Sequence, residues 1–343
     1  MKSTRKIWVA VTFLVILHCV VVLAGFVAPY DPTNQNRELP FAPPTRVHFM
    51  DAQGHFHLRP FVYQTIAVPE GINQYKESQD VQYPIRIFVR GAGYKIAGLI
   101  SSNLHLFGVE APVPIVLAGT DNFGRDQFSR VLYGGQVSLA AGLLATIISL
   151  LIGMLVGTIS GFYGGWIDES IMRFAELFLV LPWLYLLLAV RSFLPLHIST
   201  ARTFFLLVGV IGIVGWARPA RLVRGLVLSV KNRKYVQASR GFGASDTHIL
   251  RRHVLPHTYS VMLTQAALLV PQYVIAEVAL SFFGLGLSEP LPSWGNLLAS
   301  LQQYNVLSSY WWMFAPAVAL VVFCLGYLLV ANVFHEKLQL SGI

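Results

Sequence analysis

Long apolar runs separated by short polar joints set the rhythm of this chain. Averaged over the roughly 20 residues that a helix needs to cross a hydrocarbon core, hydrophobic positions concentrate in six windows, at residues 7–28, 137–160, 174–190, 203–217, 261–283 and 310–334. They predict an all-α polytopic membrane protein with six spans. The fourth window is short and rich in glycine, so its ends are poorly marked. Between the first two windows the period changes. In Tyr83-Pro-Ile-Arg-Ile-Phe-Val-Arg90 the residues Ile85, Ile87 and Val89 alternate with Arg86, Phe88 and Arg90, the two-residue repeat of a half-buried strand. Residues 55–68 show a looser version, and Pro40, Pro43, Pro44 and Gly91-Ala-Gly93 punctuate the stretch. A small β-containing insertion between spans one and two follows.

The pattern divides the chain into a first transmembrane helix (1–28), a polar segment with the insertion (29–136), a membrane core (137–335) and a tail (336–343). Lys2, Arg5 and Lys6 precede the first apolar run. That run is longer than the hydrophobic part of a cleavable signal peptide, which predicts a retained span. Composition agrees with membrane residence: 55% of residues are hydrophobic, 12% are charged, and mean hydropathy is +0.59. Cys19 and Cys324 both fall within apolar windows, where they act as small apolar side chains and predict no disulfide.

Charge sets the expected orientation. Between Arg218 and His257 nine basic residues face Asp246 alone, a formal +8 out of +9 for the chain. Loops carrying such an excess stay on the cytoplasmic side, which also puts both termini inside. The segment 29–136 has nine bases and nine acids and is expected outside. The basic residues border apolar spans and no nucleic-acid motif accompanies them, so membrane topology accounts for the high pI better than nucleic acid does.

Two acids lie inside apolar windows, where a charge is costly and asks for a partner or a wet path. Glu176 stands near Arg173 at one end of span three, and packing explains it better than proton relay. Glu277 lies toward the external end of span five, and a structural and a pathway role are both open. Gly142, Gly153 and Gly157 in span two have the small-residue spacing of helices packed closely in lipid. Gly161-Phe-Tyr-Gly-Gly165 predicts a tight reversal, and Trp294, Trp311 and Trp312 suit a membrane interface. Within the basic stretch 218–257, residues 235–240 and 244–252 are each expected to form a short helix, parted by Gly241-Phe-Gly243, with Pro256 ending the second. No Gly-x4-Gly-Lys-Ser/Thr loop occurs anywhere, so ATP hydrolysis is not expected of this chain. His248, His253 and His257 raise a metal-binding alternative, but no carboxylate or Cys cluster and no His-Glu-x-x-His joins them. A non-transporting membrane scaffold is a further alternative, for which only the insertion speaks.

The basic stretch resembles the loop signature of permease subunits of ATP-binding-cassette importers: Glu-Ala-Ala, three residues, Gly, nine residues, Ile, any residue, Leu-Pro. Here the register reads Gln237-Ala238-Ser239, Gly243, then His253, Val254, Leu255 and Pro256. Gln237 and Ser239 stand where Glu and Ala are usual. The runs Ala118-Gly-Thr-Asp-Asn-Phe-Gly-Arg-Asp126 with Ser129-Arg130, 161–173, 216–256 and 277–295 are similar to the second permease of dipeptide, oligopeptide and nickel importers. The resemblance implies a type I importer permease fold and a bacterial inner-membrane location. As partners it implies a homologous permease, two cytoplasmic ATPases that hold the ATP and magnesium, and an external solute-binding protein. It implies that Val236, Gln237, Ala238, Ser239, Arg240, Gly241, Phe242, Gly243, Ala244, Ser245, His253, Leu255 and Pro256 couple to those ATPases, with Arg240 and Arg251 adding charge. Di- or oligopeptides are the implied cargo; nickel or another small solute stays open. The insertion is longer than in most such chains, and docking an external partner and serving as plain surface are both open for it.

Overall fold

The computed structural model describes residues 2–68, 74–96, 98–111, 113–195 and 198–340, with side chains described within 8–332. The expected tail therefore falls almost wholly outside the described side chains. Helix α1 is Lys2–Val22, followed by a single turn, Ala24–Val27. Strands β1 (His48–Met50), β2 (Phe56–Ala67), β3 (Tyr75–Pro84), β4 (Arg86–Ile96) and β5 (Ile100–Gly108) come next. Then follow α2 (Gln127–Tyr163), α3 (Gly165–Val180), α4 (Trp183–Ser192), α5 (Thr200–Val214), α6 (Ala217–Lys231), α7 (Lys234–Gly241) and α8 (Asp246–Phe282). Helices α9 (Trp294–Ala299), α10 (Tyr304–Ser309) and α11 (Ala315–Leu340) end the chain.

Among the described residues α2, α8 and Trp311–Asn332 are each long and apolar enough to cross a membrane, and two further candidates are bent pairs. Where the sequence predicts one span at 174–190, α3 stops at Val180 and the chain turns by 93° into α4. Pro182 explains the break: it has no N–H to give, and it forces Leu181 into extended backbone at φ −73°, ψ 137°. The window at 203–217 likewise covers only part of α5, which bends by 41° into α6. Arg218, Arg221 and Arg224 consequently lie on a helix rather than on a loop. Pro256 does not end its helix. A π-helical stretch, Leu250–Val254, precedes it and the rod continues to Phe282; the widened turn absorbs the hydrogen bond that proline cannot make.

The chain's internal contacts form two units, one of residues 1–11, 139–280 and 324–343, the other of 12–138 and 281–323. The first is held by helices that approach where side chains are missing. A Cβ built on Gly142 would meet Val274, one on Gly153 would lie 2.6 Å from Pro219, and one on Gly157 would lie 2.4 Å from the Ala220 carbonyl oxygen. One more on Gly161 would sit 2.8 Å from the Arg224 oxygen. Glycines one turn apart on α2 thus form a groove in which α6 lies, backbone against backbone. Ala175, Trp216, Ala217 and Ala220 are buried beside it.

In the second unit β1–β2–β3 form one antiparallel sheet and β4–β5 another. The alternating stretch predicted as a single strand is cut at Ile85, whose N–H donates to the Pro60 oxygen at 2.9 Å. Pro84 is the last residue of β3, opposite Phe61, and cannot carry the ladder further. Val62, Val113 and Ile115 are buried with Tyr83, Ile85 and Phe107 against them, so one small core serves both sheets. Below it runs an ionic cluster. Arg125 Nε donates to Asp121 Oδ2 at 2.7 Å, both Arg125 terminal nitrogens donate to Glu289 at 2.7 and 3.2 Å, and Arg130 Nη2 donates to Glu289 Oε1 at 2.6 Å. Trp294 and Trp312, expected at an interface, are instead buried, their indole N–H groups donating to the oxygens of Val131 and Thr120. Trp311 is exposed.

Two predictions follow from these contacts. Gly157→Leu is expected to lower stability by about 1–3 kcal/mol by forcing α6 away. Gly209→Ala, whose Cβ would meet nothing within 4 Å, is expected to hold or slightly raise it; thermal midpoints of the solubilised protein check both. Burial pushes the Asp126 carboxyl up to about 6, against the hydrogen bonds from Ser129. Because the folded value lies above the unfolded one, the folded state keeps a proton the unfolded chain releases, and this stability is lost as pH rises through about 6. Asp126→Asn is expected to flatten that slope when midpoints are compared from about pH 4.5 to about 7.5.

Candidate functional site

The basic segment after α6 folds as a knob with a buried root. Lys231 ends α6, Arg233 takes extended backbone, and α7 begins at Lys234. Helix α7 places Val236 inward, 2% exposed, against Phe162, Val223, Val227, Val230, Ile249 and Val254. On the sequence, Val236 belongs with the residues that grip a partner; the structure assigns it to the core beneath the knob. Its neighbours on α7 face outward: Gln237, Ala238, Arg240 and Gly241 are exposed and Ser239 is half-buried.

The end of α7 is closed by its backbone. The Gly243 N–H donates to the Arg240 oxygen at 3.0 Å and the Ala244 N–H to the Ser239 oxygen at 3.1 Å. These two bonds, with Gly243 at φ 82°, make the paired closure that ends helices on a left-handed residue. Gly243 is therefore a fixed corner more than a hinge, and a side chain there would be strained although nothing crowds it. Ser245 then caps α8 by accepting from the His248 N–H at 3.3 Å. At the corner stands Phe242, 93% exposed. Arg240 reaches across to Asp246 at 3.2 Å, with its guanidinium 5.6 Å from the Phe162 ring centre. Arg251 and Pro256 are exposed, Ala244, His253 and Leu255 half-buried, and Ser245 exposed.

Tyr235 shares a hydrogen bond of 3.1 Å with His257 and lies 5.7 Å from the His253 ring, which ties α7 to the first turns of α8. Among the described residues no three His, Cys, Asp or Glu side chains are arranged to hold a metal ion. Glu176, half-exposed, lies 3.4 Å from Arg173 and 3.7 Å from Arg221. Glu277 is fully buried on α8, so the two acids do not share a site with the knob.

One contact beneath the knob is not legible from spacing. Asp168, in the first turn of α3, receives Arg224 Nε at 2.5 Å and Nη2 at 2.6 Å, and also the Ser160 hydroxyl. This two-pronged pair pins α6 to the α2–α3 turn. The acid just after Gly164-Gly165 was the available signal; its partner is 56 residues away.

Residues 149–339 match the family described as binding-protein-dependent transport system inner membrane component. The chain belongs to that family. It is an inner-membrane component of a binding-protein-dependent transport system. Over 200 residues it is 38% identical to a dipeptide transport system permease protein of Bacillus subtilis, covering 58% of this chain and 60% of that one. Over 212 residues it is 41% identical to an oligopeptide transport system permease protein of Escherichia coli, covering 61% and 68%. Among solved structures, an inward-facing methionine ABC transporter aligns with 59% of this chain and 93% of its own, at 19% identity and a TM-score of 0.46.

Truncating root and tip should separate their roles. Val236→Ala is expected to cost about 2 kcal/mol through the cavity it leaves, whereas Phe242→Ala should stay within about 0.5 kcal/mol. Thermal unfolding of the two variants checks the difference.

Proposed function

We propose that the knob formed by residues 234–256 is the handle through which two cytoplasmic ATPases drive this permease, and that its cargo is short peptides. The observation that carries the reading is the division of the knob: a core-anchored root at Val236, Ile249 and Val254, and an exposed aromatic corner at Phe242. A lever must be rigid where it joins the moving helices and grippable where force is applied. Val236 to Ser245 and His253 to Pro256 then divide the labour, the buried members transmitting motion into α6 and α8 and the exposed ones meeting an ATPase groove. Arg240 is braced by Asp246, and Arg251 orients the approach of an acidic rim.

On this reading the chain pairs with a homologous permease and receives its solute from an external binding protein. ATP and magnesium sit on the ATPases, and this chain carries no cofactor. The knob and both termini lie on the cytoplasmic side of a bacterial inner membrane. Peptide cargo is supported by the names of the relatives, one a dipeptide and one an oligopeptide permease; nickel stays the alternative within the same architecture.

The test is a reconstituted complex of this chain with its sister permease, ATPases and binding protein. Phe242→Ala or Gly243→Asp is expected to lower uptake of a labelled short peptide about tenfold or more, the scale of a lost interface anchor, while the protein still inserts and folds. Normal peptide uptake by both variants would refute the handle, and uptake of nickel with no peptide uptake would refute the cargo.

A further inference from the structure

Arg218, Arg221 and Arg224 recur every three residues and descend one side of α6. Their surroundings differ. Arg224 is held by Asp168, and Arg221 lies 3.7 Å from Glu176. Arg218 sits six residues before Arg224, about 9 Å at the helical rise, and has no carboxylate within ion-pair distance among the described residues. Glu176 is shared between Arg173 and Arg221, Arg224 is held by Asp168, and the exposed Arg218 has no carboxylate partner among the described residues.

Arg218 borders a cavity of about 370 Å³. Two helix breaks meet at its wall: Leu181-Pro182 between α3 and α4, and Gly215 between α5 and α6. Backbone freed from a helix is tolerated at membrane depth where it lines a cavity, and interrupted helices with such polar ends form solute sites in transporters. No acid lines this cavity. The Tyr273 hydroxyl is engaged with Ser149 Oγ at 2.8 Å and the Gly215 oxygen at 3.2 Å, while the half-buried Gln272 offers an amide. A volume of this order holds a small molecule or the end of a larger one.

We propose that Arg218 and this cavity take the carboxylate of the transported solute, with Gln272 as a further hydrogen-bonding partner. The inference rests on the peptide reading above, on which that group is the free C-terminus of a short peptide. A cation beside a helix break in a candidate span, with no counter-ion among the described residues, is a place for an anionic partner. A guanidinium grips a carboxylate with two parallel hydrogen bonds, and Arg224, already held by Asp168, is not free to compete for it.

The test uses the complete reconstituted transporter and one labelled tripeptide in two forms, free acid and C-terminal amide. Uptake of each is divided by the affinity of the binding protein for it. The wild type is expected to prefer the acid. Arg218→Gln is expected to reduce the acid-to-amide ratio about tenfold or more, the scale of one lost charge-assisted hydrogen bond. Arg218→Lys, which keeps the charge without the fork, is expected to fall between, and it decides the matter if the Gln variant fails to assemble. A ratio unchanged in the variants overturns the proposal while leaving peptide transport intact, and uptake of both forms falling together points to an ion pair with the sister permease instead. A wild-type complex that moves neither form refutes the peptide reading and this inference with it.

Discussion

The absence of side chains along one edge of α2 is the constraint on which the membrane part of this protein depends. Gly153, Gly157 and Gly161 let the α6 backbone approach to distances that any Cβ would forbid. In lipid no hydrophobic drive separates helix from solvent, so contact surface of this kind must come from close packing. Once α6 is seated, its polar edge has a defined address. Arg224 reaches Asp168, Arg221 comes near Glu176, and Arg218 is carried to the cavity between the helix breaks. The same seat presents Val223, Val227 and Val230 to the root of the knob.

That arrangement links the knob to the cavity by a short path of packed residues. Val236, Ile249 and Val254, behind the Phe242 corner, are packed on Val223, Val227 and Val230 of α6, and α6 also carries Arg218, which borders the cavity. The π-helical stretch at Leu250–Val254 keeps the knob continuous with α8. A proline that ended the helix would have left a slack joint there.

The second unit uses another principle. Its ionic cluster gathers Arg125 and Arg130, both buried, around Asp121 and the half-exposed Glu289. Burying a guanidinium is costly unless it is paired, and these ion pairs fasten the connector after α8 to the approach of α2. The tryptophans buried here are also tied to the backbone: the indole N–H groups of Trp294 and Trp312 donate to the carbonyl oxygens of Val131 and Thr120.

The linear order of residues was enough to determine the membrane class, the place of the insertion and the position of the knob, because hydrophobic length, strand alternation and the Gly243 register are local properties, whereas of the six expected spans the described residues show three and two bent pairs. It misplaced the helix ends at Val180, Lys231 and Pro256, since a proline's effect depends on whether the neighbouring turn can widen or must break. It also read the buried Val236 as a gripping residue. Which side of a short helix faces a core, and which carboxylate meets which arginine across 56 or 164 residues, are decided by packing between segments distant in the chain. Only the tertiary structure put Arg218 beside a cavity with no counter-ion among the described residues, because pairing is a matter of distance in space and the chain order carries no such distance.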